Sequence, residues 1–161
     1  MKEREDNGAT LKNRKRRLFG MRLEFLVARW LVNRFGWGDD VLLDTVGKID
    51  VHVFGLKKVE LECKRLRLTS FVTKAWLKKY VVDRYSEDVW LKVLVTTKIC
   101  WDDDCAAFLK ENDVHVLSIG QVDGREQIEE AEENFVDGFM RLYIERMREE
   151  EVNVCRERLC R

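Results

Sequence analysis

A chain of 161 residues with 45% hydrophobic content has room for one domain with a full core and too little for two. No apolar run reaches the roughly 18 residues of a membrane helix, and the charged residues 1–6 have no apolar segment behind them to act as a signal sequence, so a soluble, intracellular (cytoplasmic) protein without a membrane partner is expected. The net charge of zero conceals a split: residues 1–80 carry 19 Lys/Arg against 10 Asp/Glu, a net of +9, and residues 81–161 carry 11 against 20, a net of −9, the polarity of a chain in which one part meets a polyanion and another does not.

Residues 1–17 read as a basic, frayed N-terminal arm ending in Lys12, Arg14, Lys15, Arg16 and Arg17, a run suited to phosphate contacts. A helix is expected over about 18–35, ended by the stretch 36–40. Two strand-like segments follow, 49–54 and 59–64, separated by Gly55, Leu56, Lys57 and Lys58 at hairpin spacing. A helix over 71–85, a strand over 89–97 apolar enough to be buried on both faces, a helix over 102–111 with Asp102 or Asp103 as N-cap, and a buried strand over 114–119 come next. From about 121 to the end the chain reads as one long charged helix, whose stripe of Ile128, Ala131, Phe135, Phe139, Leu142 and Met147 is expected to dock on the chain's own core. That order implies an α/β sandwich around a mixed sheet, divided into an arm (1–17), a folded unit (18–120) and a charged helical extension (121–161).

The residues that carry chemistry lie in the hairpin. In Val59-Glu60-Leu61-Glu62-Cys63-Lys64, strand alternation puts Glu60, Glu62 and Lys64 on one face and the apolar residues on the other. If Phe54 lies opposite Lys58, Asp50 falls opposite Glu62 on that same face. Two carboxylates so placed repel unless a cation lies between them, and a divalent metal with Lys64 beside it is the economical answer. Mg²⁺ takes oxygen ligands and keeps several waters, so Asp50, Glu62 and the Cys63 backbone carbonyl would leave room for water and a phosphate oxygen. Glu24 joins the apolar helical stripe Ala28, Leu31, Phe35, where a carboxylate needs a partner; the metal or its water would be one, reached directly or through that water.

Other candidates are weaker. Asp44 lies before a turn-like stretch and not on a strand beside Glu62; His52 and His115 read as structural. Trp30, Trp76 and Trp90 fit core positions, whereas Trp37 between Gly36 and Gly38 is placed to wedge at a nucleic acid. Lys74, Lys78 and Lys79 could add phosphate contacts. Five cysteines without paired CxxC spacing argue against structural zinc, and free thiols are expected. Abundant charge points towards a thermophile and the absence of proline away from one.

Glu24 on the first helix, then Asp50, then Glu62-Cys63-Lys64, followed by helix, strand, helix, strand, resembles the PD-(D/E)XK nuclease superfamily. Gly20-Met21-Arg22-Leu23-Glu24 and Thr45-Val46-Gly47-Lys48-Ile49-Asp50 are similar to segments of archaeal Holliday-junction resolvases and restriction-endonuclease-like relatives, a likeness covering about 17–120. Ile49 stands where the superfamily's name has proline, and the segment after Gly120 has no counterpart in it. The resemblance implies a restriction-endonuclease-like α/β/α sandwich with a central mixed sheet and a Mg²⁺ (or Mn²⁺)-dependent endodeoxyribonuclease. Its catalytic residues would be Glu24, Asp50, Glu62 and Lys64, its substrate branched or duplex DNA, and its assembly a homodimer; as basic residues flanking that site, Lys48, Arg65 and Arg67 are expected to add phosphate contacts. The alternatives are a nuclease of flap, end or restriction-like preference, and a non-catalytic nucleic-acid-binding or assembly protein on the same fold.

Overall fold

The structure is a computed structural model that describes residues 23–44 and 49–160. The expected arm, and with it Lys12, Arg14, Lys15, Arg16, Arg17 and also Lys48, lies outside the described residues. The first helix, α1, is described over 23–35. It is followed by β1 (Val41–Leu43), β2 (Val51–Val53), β3 (Val59–Lys64), α2 (Lys74–Tyr80), a 3₁₀ turn (Val82–Arg84), β4 (Leu91–Thr96), α3 (Asp103–Glu111), β5 (Val114–Ser118) and α4 (Arg125–Leu159).

The five strands form one sheet in sequence order. β1, β2 and β3 run antiparallel, and β3, β4 and β5 run parallel, so the expected mixed α/β architecture is present. The hairpin register pairs Val51 with Leu61, His52 with Glu60 and Val53 with Val59, which is the register that the apolar alternation requires. A slip of one residue would have turned Glu60 and Glu62 into the apolar core.

Two cores fill the sandwich. On one face Leu23, Val27 and Leu31 of α1 and Phe135 and Phe139 of α4 pack on Val51, Leu61, Val93 and Val95. On the other, Leu77 of α2 and Cys105 and Leu109 of α3 pack on Leu94 and Val114. The two parallel crossovers, through α2 and α3, thus cover the face opposite α1 and α4, as connections of one hand require.

Three details differ from expectation. β1 was not anticipated: it is a three-residue edge strand with a mixed burial pattern, too short for a periodic signal. Its ladder is extended by Phe54 N–H donating to the Asp40 carbonyl (2.8 Å) and Asp44 N–H to the Asp50 carbonyl (2.9 Å). α2 starts later than position 71, where the Thr73 hydroxyl accepts from Trp76 N–H at 3.3 Å, and it gives way to the 3₁₀ turn at Val82. Trp37 is not a wedge: its ring lies 5.1 Å from Phe35, 5.5 Å from Tyr143 and 5.9 Å from Phe139, an aromatic cluster that closes the end of the α1–α4 core.

The stripe on α4 changes character along its length. Ala131, Phe135, Val136 and Phe139 are buried in the principal core, whereas Ile144, Met147, Val152, Val154 and Leu159 are exposed. At Gly138 an added Cβ would stand 2.8 Å from the end of the Leu117 side chain, so α4 crosses β5 closely enough that a larger residue there would have to displace that leucine. The five cysteines are free.

Candidate active site

β3 supplies the two acids that define the site's axis. Its even residues leave the α1–α4 core and point under α2, so Glu60 and Glu62 are completely buried although charged. They are treated differently. Glu60 accepts hydrogen bonds from Ser86 N–H (2.8 Å) and from the Ser86 hydroxyl (2.9 Å), and His52 Nδ1 stands 3.4 Å away. Glu62 has cationic neighbours, Lys64 Nζ at 2.5 Å and Arg84 Nε at 3.1 Å from the same oxygen, yet neither of its oxygens makes a hydrogen bond of good geometry.

Asp50 enters from the residue before β2 and is buried. Cys63 N–H donates to its Oδ2 at 2.7 Å, which ties the carboxylate to the residue between Glu62 and Lys64. Glu24 comes from α1, on the opposite side of the sheet, and its carboxyl hydrogen-bonds the Asp50 side chain. Two carboxyl groups can share such a bond only if one holds a proton. Burial first, then the charge of Asp50 and that bond, and then Glu62, push the Glu24 carboxyl up to about 8, against a smaller downward pull from Lys64. Burial also pushes Glu62 up to about 7; Lys64 and Arg84 oppose the rise and Asp50 adds to it. The four residues singled out from the sequence are thus brought within electrostatic reach of one another. Asp44 lies to one side, its carboxylate 3.8 Å from His52 Nε2.

An open cleft of about 880 Å³ leads to this cluster, walled by Glu24, residues 63–70, Gln121 and Asp123. It lies beyond the carboxyl ends of the parallel strands β3 and β4, where ligands of open α/β sheets bind. Arg65 in the wall is ion-paired with Asp123, while Arg67 is exposed. Of the lysines on α2, Lys78 pairs with Asp83 (2.8 Å) and Lys74 lies over the Phe108 ring. Lys64 Nζ also lies 5.9 Å from the Trp76 ring centre, which places Trp76 beside the site.

Among the described residues no group of three His, Cys, Asp or Glu side chains forms a ready-made metal cage. Mg²⁺ does not ask for one, since it is commonly held by one or two carboxylates plus waters and substrate phosphate. Two observations fit a divalent cation: a fully buried Glu62 carboxylate whose two cationic neighbours both meet Oε1 while Oε2 has no partner, and a Glu24–Asp50 pair that needs a proton where a cation would serve.

No family model and no curated protein matches the chain. A solved structure of the MspJI restriction endonuclease in complex with a 27-mer oligonucleotide is similar to it over 81% of this chain and 31% of that one, at 17% identity and a TM-score of 0.45. The chain therefore spans about a third of the length of that protein, and its chemistry has to be argued from the site itself.

Arg84 and Ser86 were not visible from the sequence. Both follow α2 and reach β3 only because the β3–α2–β4 crossover returns the chain over the buried acids. No local pattern marks them, although a buried pair of strand acids demands donors from some later segment.

Proposed function

We propose that this chain is a Mg²⁺-dependent (or Mn²⁺-dependent) endodeoxyribonuclease of the PD-(D/E)XK type on a restriction-endonuclease-like fold. The observation that carries the proposal is the convergence of Glu24 from α1, Asp50 from just before β2 and Glu62 from β3 beside Lys64, with Glu24 and Lys64 lining the cleft and the other two buried behind it. Asp50, Glu62 and the Cys63 carbonyl would hold the metal, with Glu24 reaching it directly or through water. When bound, such an ion acidifies a water and stabilises charge on a phosphoryl group.

The protein's own residues have separate tasks. Asp50 is fixed by Cys63 N–H, so its carboxylate cannot swing away from the strand that carries Glu62. Lys64 is paired with Glu62 in the free protein; with that acid otherwise engaged, its ammonium on the cleft wall would be free to donate to a water or a phosphate oxygen. Arg84 keeps a second positive charge against Glu62 and favours the ionised form that a metal requires. Arg67 on the cleft wall offers a phosphate contact. Within this reading, structure-specific cutting of a Holliday junction by a homodimer is the finer proposal, supported by the likeness of residues 20–24 and 45–50 to junction resolvases.

The test is to incubate the protein and a Glu62→Ala variant with labelled four-way junction, flap, single-stranded and duplex DNA in Mg²⁺ or EDTA. Cutting by the natural chain in Mg²⁺ alone is expected, with the variant inactive. Equal cutting by Glu62→Ala would refute the site, and preference for linear duplex over junction would refute the resolvase reading.

A further inference from the structure

The wall of the cleft contains a loop whose backbone is fastened and whose apolar side chains are not covered. Residues 67–70 form a closed turn: Ser70 N–H donates to the Arg67 carbonyl at 3.0 Å, and Arg67 N–H donates to the Ser70 hydroxyl at 3.1 Å. The turn is pinned to the segment after β4. Leu66 N–H donates to the Thr97 hydroxyl, which in turn donates to the Leu66 carbonyl, both at 2.8 Å. Lys98 Nζ donates to the Leu68 carbonyl, and Val72 N–H donates to the Cys100 carbonyl at 2.9 Å. Leu68 and Phe71 are nevertheless each 73% exposed, and Ile99 on the facing segment is 52% exposed.

A leucine and a phenylalanine left in water cost the fold the apolar burial they could have provided. A loop held this firmly has not simply swung open. Leu68, Thr69 and Ser70 wall the same cleft as Glu24 and Lys64, and Arg67, exposed, adjoins Leu68. Apolar surface interleaved with cationic groups at the mouth of a phosphate-cleaving cleft suits a polynucleotide whose bases are free to stack, since every base has an apolar face and a charged backbone beside it. Paired bases inside a duplex do not offer that face.

We propose that the loop over residues 67–71 is a base-stacking element, in which Leu68 on the cleft wall and Phe71, next to the lining residue Ser70, pack on unpaired bases beside the cleft, so that DNA with unpaired bases near the cut is preferred to fully paired DNA, and the preference for a junction of fully paired arms is the reading it competes with. This rests on the reading of the cleft as a nuclease site. It gives to Phe71 the role that sequence reasoning had assigned to Trp37.

The loop and the chemistry are separable by experiment. Binding of a labelled single strand and of the perfectly paired duplex of the same sequence is measured by fluorescence anisotropy in EDTA, where repulsion by the buried acids is common to both and cancels in the ratio. Cutting of the same two DNAs is then measured in Mg²⁺. The natural chain is expected to bind the unpaired DNA more tightly. The Leu68→Ser, Phe71→Ser double variant should lose that preference by roughly 5- to 100-fold, the value of stacking on one base, with duplex binding unchanged, and Phe71→Tyr should keep it. Because both side chains are exposed, the double variant should melt as the natural chain does.

An unchanged ratio in the double variant overturns the stacking element and leaves the nuclease reading standing. A change of sedimentation with an unchanged ratio also overturns it, by showing the patch to be a protein interface. A loop-dependent preference without cutting in Mg²⁺ overturns the nuclease reading alone, and failure to bind either DNA overturns both.

Discussion

Glu60 and Glu62 sit two residues apart on one face of one strand, and both are fully buried. At the Glu60 end each oxygen accepts a hydrogen bond, one from a backbone N–H and one from a hydroxyl, with the His52 ring 3.4 Å and the Lys58 ammonium 4.0 Å away. At the Glu62 end two cations crowd one oxygen and the other oxygen has no partner, with Asp50 close enough to raise its proton affinity. Burial is the same and satisfaction is not. A buried carboxylate with a donor on each oxygen is part of the fold, whereas one with an oxygen left unpartnered keeps a demand that folding did not meet. The contrast separates structural acids from candidate ligands by a criterion that placement on the strand cannot supply.

The largest effect that would break the contrast is on activity. Glu62→Gln keeps shape and removes the charge, and is expected to lower Mg²⁺-dependent cutting by roughly 10³-fold, the several kcal/mol that a bound metal contributes. The same substitution at Glu60 should leave the rate per folded molecule nearly unchanged. Equal losses at the two positions, measured on one substrate under single-turnover conditions, would show that the ends of β3 do the same work.

Stability should respond in the opposite sense. The Glu62 carboxyl has a folded value of about 7 against an ordinary 4.5, and Glu24 about 8. The folded chain therefore holds protons that the unfolded chain has released, so stability is full below about 4.5 and is lost as pH climbs through 7 to 8. In EDTA the natural chain should melt at a higher temperature at pH 5 than at pH 8, with about 3 kcal/mol attributable to Glu62. Glu62→Gln should flatten that slope and raise the melting temperature at pH 8; on the proposed metal site, Mg²⁺ is expected to raise the melting temperature of the natural chain and not of the variant. Glu60→Gln offers no such compensation. It replaces an acceptor of two hydrogen bonds by a group that fits only one of them well, and should cost about 2 kcal/mol at both pH values. A melting series across pH for the two variants decides the matter.

Much of this was legible in the sequence because apolar alternation leaves little freedom. Val51, Val53, Val59 and Leu61 all have to face the α1–α4 core, which fixes the hairpin register and with it the pairing of His52 with Glu60; the approach of Asp50 to Glu62 follows. Glu24 was legible for the same reason, from the stripe it shares with Ala28 and Leu31. The distinction between Glu60 and Glu62 was not legible, because it depends on what the chain brings back from position 84 onward. Ser86 and Arg84 lie two residues apart, yet they serve the two ends of β3 separately. The edge strand β1 escaped notice because three half-exposed residues have no period, and Trp37 misled because flanking glycines mark a bend in the chain equally well whether the ring points out or in.

The smallest expected effect is the sharpest test of the criterion. Ser86→Ala leaves Glu60 in place and leaves the backbone N–H that binds one of its oxygens, but removes the hydroxyl that binds the other. A single hydrogen bond to a charged acceptor contributes roughly 1.5 to 3 kcal/mol, and His52 stands near enough to that second oxygen to recover part of it, so a loss of about 1 kcal/mol is expected in denaturant unfolding. Cutting rate and stabilisation by Mg²⁺ should not move, because the cluster of Glu24, Asp50 and Glu62 shares no donor with Ser86. If the variant instead altered the response to Mg²⁺, the donors at one end of β3 would be setting the charge at the other, and the two acids would have to be treated as one coupled system.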